Sequence, residues 1–368
     1  MTSKDDFITP LSQEQLLLAI AKDEASLEAE ALRSYFAHAE SKEFTLLKNA
    51  LKKRNDILPK DLAIKLFSSD RHTSISRLEA FAKCPFQHFV QYGLSPKEHI
   101  EYSANSLDMG TFFHSILENF IKENWNKELS EAECNGITGE LFDKIIPEIN
   151  FGAMTFTSRQ RQVNYHLKNI VCKSAWEIKN QLKHYKPLGE EIEFGFGKIP
   201  PIEIETDFGT LYIKGKIDRA DTLEKNGNVY IRIIDYKSGK KNKKSSTFGA
   251  EISEGTNLQL MIYMNALLSY LGNNSRPGGA YYMFLADGNS LVGLENSEVA
   301  EAESKTATEP AGFNLLLETA QNTAKELASG IFNGNIVPKH GRNTCQYCDY
   351  QSVCGIKVMN SKEDGEND

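Results

Sequence analysis

Residues 215–239 read GKIDRADTLEKNGNVYIRIIDYKSG, and this stretch decides the fold. Two runs rich in Ile and Tyr alternate with a period of two on either side of Lys225-Asn226-Gly227-Asn228, a turn of the type that favours tight hairpins. They are expected to be two antiparallel strands. LYIKGKIDRAD (211–221) is read as one of these strands, and GEEIEFGFG (189–197) as a further strand of the same sheet.

Strand interiors usually exclude acids, yet Asp218 interrupts the first alternation and Asp235 the second. Asp235 and Lys237 share the parity of Ile231 and Ile233, so they project from one face. Across a hairpin Asp218 and Asp235 would approach each other, and two carboxylates that close repel unless a cation lies between them. Oxygen ligands of this kind suit Mg²⁺ or Mn²⁺, which keep positions open for a phosphate oxygen. Lys237 would face the same phosphate, orienting or deprotonating an attacking water and offsetting charge in the transition state. By itself this spacing equally describes a surface ion pair on an edge strand.

Outward from the hairpin the periodicity turns helical. Residues 1–70 form an N-terminal helical segment, with apolar positions at helical spacing from residue 10 onward. TSISRLEAFAKCPFQHFVQYGL (73–94) reads as one helix capped by Ser74 or Ser76 and holding Cys84. Further helices are expected over 107–125, 158–185 and 257–271. On the first, His114 lies four residues after Gly110 and shares its face; on the last, Gln259 and Tyr263 do the same. GGAYYMFLAD (278–287) is the last expected strand, and 287–310 an irregular excursion. Glu193 begins a strand and offers a third carboxylate, with Glu191 a neighbour of the same type and parity.

NTCQYCDYQSVCGI (343–356) gathers Cys345, Cys348 and Cys354, and a closed thiolate site needs a fourth ligand. The candidates are Cys84, Cys134, Cys172 and His340. Cys134 lies in the polar turn ECNGITG and Cys172 in a helix interior. Cys84 sits among Phe81, Phe86 and Phe89, on a helix that must dock on something. Four thiolates suit zinc or an iron–sulfur cluster, and three with His340 suit zinc.

The chain has 368 residues, 40% of them hydrophobic and 25% charged, as in folded soluble proteins. Six cysteines with three of them clustered fit reduced thiols that hold a metal. No apolar run is long enough to span a bilayer and the N-terminus resembles no signal peptide, so a cytoplasmic location is expected, with no membrane partner. The net charge of −8 excludes a surface that is basic throughout, but Lys237, Lys240, Lys241, Lys243 and Lys244 concentrate positive charge after the second strand. The acidic residues 359–368 are expected to be a disordered tail.

Taken in order, GxxxH at Gly110 to His114, the strand acid Glu193, GKID ending in Asp218, DYK at Asp235 to Lys237 and QxxxY at Gln259 to Tyr263 resemble the motifs of the PD-(D/E)XK nuclease superfamily, RecB type. With Cys84 far upstream of a CxxCx5C cluster, residues 74–355 are similar to the C-terminal nuclease region of the AddB family of AddAB helicase-nucleases. The resemblance implies an α/β, restriction-endonuclease-like core over 71–358, a mixed central sheet flanked by helices. It implies a Mg²⁺-dependent exonuclease of recombinational repair, with the cation held by Asp218 and Asp235, helped by His114, Glu193 and the Tyr236 carbonyl. Lys237 would be the catalytic lysine, and Gln259 and Tyr263 would position the DNA or the Lys237 region. It also favours a 4Fe–4S cluster on Cys84, Cys345, Cys348 and Cys354 over structural zinc. The acid before Lys237 is aspartate, where much of the superfamily has glutamate.

No GxxxxGK(S/T) phosphate loop occurs, so ATP hydrolysis is expected from a helicase partner subunit or from sequence outside this chain. A single-stranded DNA end is expected to thread past the metal along the lysine-rich loop. Two alternatives share the motifs: a noncatalytic DNA-binding or assembly subunit of the same fold, and a stand-alone Cas4-like nuclease.

Overall fold

The computed structural model of the protein describes residues 56–67, 71–96, 106–147, 157–197, 199–239, 244–300 and 307–354. The expectations for residues 1–55, for Lys240, Lys241 and Lys243, and for the acidic tail lie outside them. The chain divides between Asp56 and Ile57, and the second unit, Ile57–Asp368, carries the sheets and the candidate sites. Its first helix, α1 (Lys60–Phe67), buries Ala63 and Phe67 in the main core. The unit therefore begins before the boundary at residue 71 read from the sequence.

The quoted hairpin forms as expected. β5 (Gly215–Lys225) pairs antiparallel with β6 (Asn228–Lys237) from Lys225↔Asn228 to Arg219↔Ile234. Asn226 (φ 54°) and Gly227 (φ 75°) supply the two left-handed residues that a two-residue turn needs. Around it a six-stranded mixed sheet runs in the order β2 (Lys186–Phe194), β5, β6, β7 (Ser275–Phe284), β8 (Ser290–Asn296), β9 (Ala307–Thr308). β6 and β7 are parallel, and each is buried on both faces, which explains their nearly unbroken apolar sequence.

Ile231, Ile233, Ala280, Tyr282 and Phe284 meet one core, shared with α2 (Ile75–Lys83), α7 (Phe248–Ser253), α8 (Gln259–Leu271) and α9 (Pro310–Phe332). Ile234, Tyr236, Tyr281 and Met283 meet the other, made by α4 (Ser106–Asn124), α5 (Glu131–Ile145) and α6 (Ser158–Gln181). Among the described residues no helix is long and apolar enough to cross a membrane.

Four sequence expectations change. LYIKGKIDRAD is not one strand. β4 (Gly209–Ile213) belongs to a separate three-stranded sheet with β1 (His72–Thr73) and β3 (Ile202–Thr206), and the chain changes sheets at Lys214. Gly215 permits the change, since a Cβ there would come within 2.5 Å of Phe194 and 2.9 Å of Tyr263. The single helix expected over 73–94 breaks at Cys84 into α2 and α3 (Pro85–His88), the latter continued by a wider turn over Phe89–Leu94. Pro85 has no N–H to give and forces the residue before it to be extended; Cys84 has φ −161° and ψ 109°. ECNGITG is helix, not turn. A capping box of Ser130 and Glu133 starts α5, and Cys134 is buried in it. Finally, 287–310 is not one irregular excursion, because Val292 and Leu294 turn inward on β8.

Behind β5 and β6 lies a buried ionic knot. Asp221 accepts from Arg219 (Nη2, 2.7 Å) and from Arg232 (Nη2, 2.6 Å), and both Asp221 and Arg219 are wholly inaccessible to solvent. Burial acts to raise the Asp221 pKa, but the two guanidiniums outweigh it and hold it below the ordinary aspartate value. Removing the anion would strand two buried cations. Asp221→Ala is accordingly expected to destabilise the unit by roughly 3–5 kcal/mol, read as a lowered denaturant midpoint.

Candidate active site and cysteine cluster

Beyond Arg219↔Ile234 the β5–β6 ladder stops. Asp218 takes the place of the next backbone acceptor, its Oδ2 receiving the Tyr236 N–H at 2.8 Å. This aims Oδ1 across the gap at His114 Nδ1, 3.5 Å away on α4. Glu191 on β2 brings Oε1 to the same nitrogen at 3.5 Å, and its other oxygen is paired with Lys216. His114, Glu191 and Asp218 have donor atoms all within 4.8 Å of one another, a spacing that could hold a metal ion. Thr111, Ser115, Glu118 and Lys216 complete the cleft around them. Among the described residues a Cβ on Gly110 would meet nothing within 4 Å.

Asp235 sits beside this group at the end of β6. Gln259 Nε2 donates to its Oδ1 at 2.6 Å, and Lys237 Nζ lies 2.5 Å from Oδ2 as an ion pair. Gln259 is placed by the start of α8, where Glu79 Oε1 of α2 accepts from the Leu258 and Gln259 N–H groups at 2.7 and 3.1 Å. Tyr263, one turn on, is buried with its ring T-shaped against Phe194.

The charges respond accordingly. Burial first, then the Asp235 carboxylate, push Asp218 up to about 7. Burial acts to lower His114, but the Glu191 hydrogen bond and the Asp218, Glu191 and Asp235 carboxylates outweigh it and raise its pKa. Lys237 is likewise raised, because its contact with Asp235 outweighs burial; in this state it is a cation and not a base. Packed acids, one of them with its pKa raised by burial and by its neighbour, are what a divalent cation would relieve. The residues fit such an ion.

The structure thus brings together His114, Asp218, Asp235, Lys237 and Gln259, with Tyr236 supplying its N–H to Asp218. It does not bring Glu193, which is exposed on β2 opposite Lys216. Glu191 takes that place, a correction that equal parity concealed. Glu191 has φ 53°, a left-handed residue inside a strand, and it falls between the pairs Glu190↔Arg219 and Ile192↔Ile217. That local twist turns it to the cleft, and no pattern in the sequence signals it. Lys216 and Glu79 were also missed, though Lys216 stands two residues before Asp218.

The cysteines meet elsewhere in the unit. Cys84, at the joint of α2 and α3, lines one cavity with Cys345, Cys348 and Cys354, which flank and enter the short helices α10 (Arg342–Gln346) and α11 (Gln351–Cys354). Backbone N–H groups point at two of the sulfurs, Lys339 at Cys84 (3.4 Å) and Gly341 at Cys345 (3.5 Å). Burial and the three neighbouring thiols raise the Cys348 pKa. Cys134 and Cys172 lie apart, on α5 and α6, and His340 is exposed and does not line the cavity.

A mixed sheet with acids at a strand splay, an adjacent lysine and a helical histidine is the arrangement of a nuclease fold, and the chain belongs to the PD-(D/E)XK nuclease superfamily, which it matches over residues 72–355. It is similar to proteins named as ATP-dependent helicase/deoxyribonuclease subunits of the B type. That of Alkaliphilus oremlandii is 33% identical over 350 residues, covering 78% of this chain and 30% of the relative. That of Alkaliphilus metalliredigens is 31% identical over 354 residues, with 78% and 30% covered. That of Acetivibrio thermocellus is 28% identical over 431 residues, covering 98% of this chain and 36% of the relative. The chain spans about a third of the length of these curated relatives.

A cation at this site must displace the proton on Asp218. Mn²⁺ affinity, followed by titration calorimetry, is expected to rise with pH below about 7 and level off above it. Without the ion, raising the folded Asp218 pKa from 3.8 to about 7 makes stability fall as pH rises through that window. Added Mn²⁺ is expected to restore it.

Proposed function

We propose that this chain is the nuclease region of an AddAB-type helicase-nuclease, hydrolysing DNA phosphodiester bonds as an exonuclease in recombinational repair in the cytoplasm. The observation that carries this reading is the convergence of Asp218, Asp235, Glu191, His114 and Lys237 at the β5–β6 splay. His114, Glu191, Asp218 and Asp235 would hold Mg²⁺ or Mn²⁺, with the Tyr236 carbonyl a further ligand. When bound, the ion supplies a Lewis acid for the phosphoryl oxygen and lowers the pKa of a coordinated water.

The chain's own residues do the rest. Lys237, held charged by Asp235, offsets negative charge that develops on the phosphate. Gln259 fixes the rotamer of Asp235, and Tyr263 packs the strand end beneath it. Burial and then the neighbouring Asp235 carboxylate favour the protonated form of Asp218, and a cation held by these residues would favour the carboxylate instead.

The four cysteines would hold a 4Fe–4S cluster, with structural zinc as the alternative. What supports a bound metal centre here is that all four thiols line one cavity, with N–H groups aimed at the sulfur of two; the resemblance to AddB-type nucleases favours the cluster over zinc. ATP-driven unwinding would come from a helicase partner or from the remainder of a longer protein, and the DNA would enter as a single strand.

The chain as it stands should cleave labelled DNA when Mg²⁺ or Mn²⁺ is added. Asp235→Ala and Lys237→Ala are each expected to lower that rate by about 100-fold or more, with circular dichroism unchanged. Undiminished digestion by Asp235→Ala would overturn the assignment; DNA binding without any cation-dependent cutting by the unaltered chain would favour a noncatalytic subunit. Anaerobic preparation should yield iron with visible absorption, and Cys84→Ser should lose both together with thermal stability.

A further inference from the structure

The loop joining β2 to β3 holds an aromatic ring out in solvent at the same end of the sheet as the carboxylate site. Phe194 before it is fully buried and Ile199 after it is buried as well. These two residues bridge each other, and the Gly195 N–H donates to the Ile199 carbonyl at 2.8 Å, so the loop is closed at its base. Gly195 has φ 82°, and a Cβ there would come within 2.5 Å of Lys214 Cγ. Glycine therefore lets the loop backbone lie against the lysine stem. Between these fixed points Phe196 is 62% exposed, with Lys214 Nζ 5.0 Å from the centre of its ring.

A phenylalanine left largely in water forgoes much of the free energy of burial. A floppy loop could fold such a ring away, but one pinned at both ends cannot. The cation on one side polarises the ring, while the exposure of the residue leaves much of its surface open.

The strand register places this ring relative to the cleft. Glu193 pairs with Lys216 and Phe194 with Gly215; Glu191 precedes Phe196 by five residues, and Lys214 precedes Asp218 by four. β2 ends at Phe194, roughly 10 Å from Glu191 at about 3.3 Å per residue, and the ring sits on the closed loop just beyond that end. It stands at the end of the sheet where β6 delivers Asp235 and Lys237. A nucleic-acid strand leaving the cleft along β2 and β5 would meet it within a few nucleotides of the reacting phosphate.

We infer that Phe196 and Lys214 form a base-stacking subsite for single-stranded nucleic acid, the ring receiving one unpaired base and the lysine facing the adjoining phosphate. The inference rests on the reading of the carboxylate cleft as a DNA-cutting site, and assigns that site a preference. Bases inside a duplex have both faces covered by their neighbours, so an aromatic platform serves only a strand that is already unpaired. Aromatic stacking and the cation beneath are insensitive to base identity, so no sequence preference is expected at this position.

The test measures binding of the whole chain to a fluorescently labelled oligothymidylate and to a labelled duplex of the same length. Anisotropy is read in EDTA, so that cutting does not intervene. Phe196→Ala is expected to weaken single-strand binding about tenfold, to leave duplex binding unchanged, and to leave the salt dependence of single-strand binding unaltered. Phe196→Trp should restore affinity. Lys214→Gln should instead reduce the slope of log affinity against log salt by about 0.7, one phosphate contact on a single strand.

Single-strand affinity of Phe196→Ala equal to that of the unaltered chain would overturn the inference, as would an equal loss for duplex and single strand. Loss of association with a helicase subunit while single-strand affinity is unchanged would also overturn it, and would assign the ring to a protein interface. Because the binding is read without a cation, these outcomes are separate from failure of the unaltered chain to cut DNA, which would refute the nuclease reading.

Discussion

One hydrogen bond organises the active end of this molecule. By accepting the Tyr236 N–H, the Asp218 side chain stands in for a backbone carbonyl and ends the β5–β6 ladder while keeping the two strands joined. A continuing ladder would have left no gap between β5 and β6 for the carboxylates to face. The splay makes that gap without leaving a buried N–H unsatisfied. His114 reaches it from one core and Gln259 from the other, so both helical layers are tied to the same pair of strands.

The splay also accounts for the polar residues behind it. Glu191, Asp218 and Asp235 each have a half-buried or buried polar neighbour one residue away in the chain: Glu190, Arg219 and Tyr236 respectively. Successive strand residues point to opposite faces, so acids gathered on one side place these neighbours together on the other. There the Arg219–Asp221–Arg232 knot anchors β5 to β6 just before they part. The strands can diverge sharply because they are cross-linked immediately upstream.

The cysteine cavity and the cleft share a helix. Glu79 of α2 caps the start of α8, which fixes Gln259 against Asp235, and α2 ends at Cys84, whose thiol faces the C-terminal cysteines. A group bound by the four thiols would hold the end of α2, and through Glu79 the approach of Gln259. The nine residues of α2 thus connect the cysteine cavity to the cleft.

Much of this was legible in the sequence. The hairpin, its turn, and the placement of Asp235 and Lys237 on one face follow from alternation with a period of two, which depends only on local backbone geometry. His114 and Gln259 were legible through their company in a known set of motifs. Cys84 was legible as the fourth cysteine, but its place at a break between helices depended on Pro85. What the sequence could not separate was Glu191 from Glu193, which have the same type, the same parity and the same strand. With a left-handed backbone at Glu191, between two residues paired to β5, one faces the cleft and the other faces solvent. Nor could it show that LYIKGKIDRAD changes sheets at Lys214, because the close approach of Phe194 and Tyr263 to Gly215 exists only once distant segments have packed. Local periodicity determined which residues could do chemistry here; the contacts between strands and helices far apart in the chain decided which of them meet.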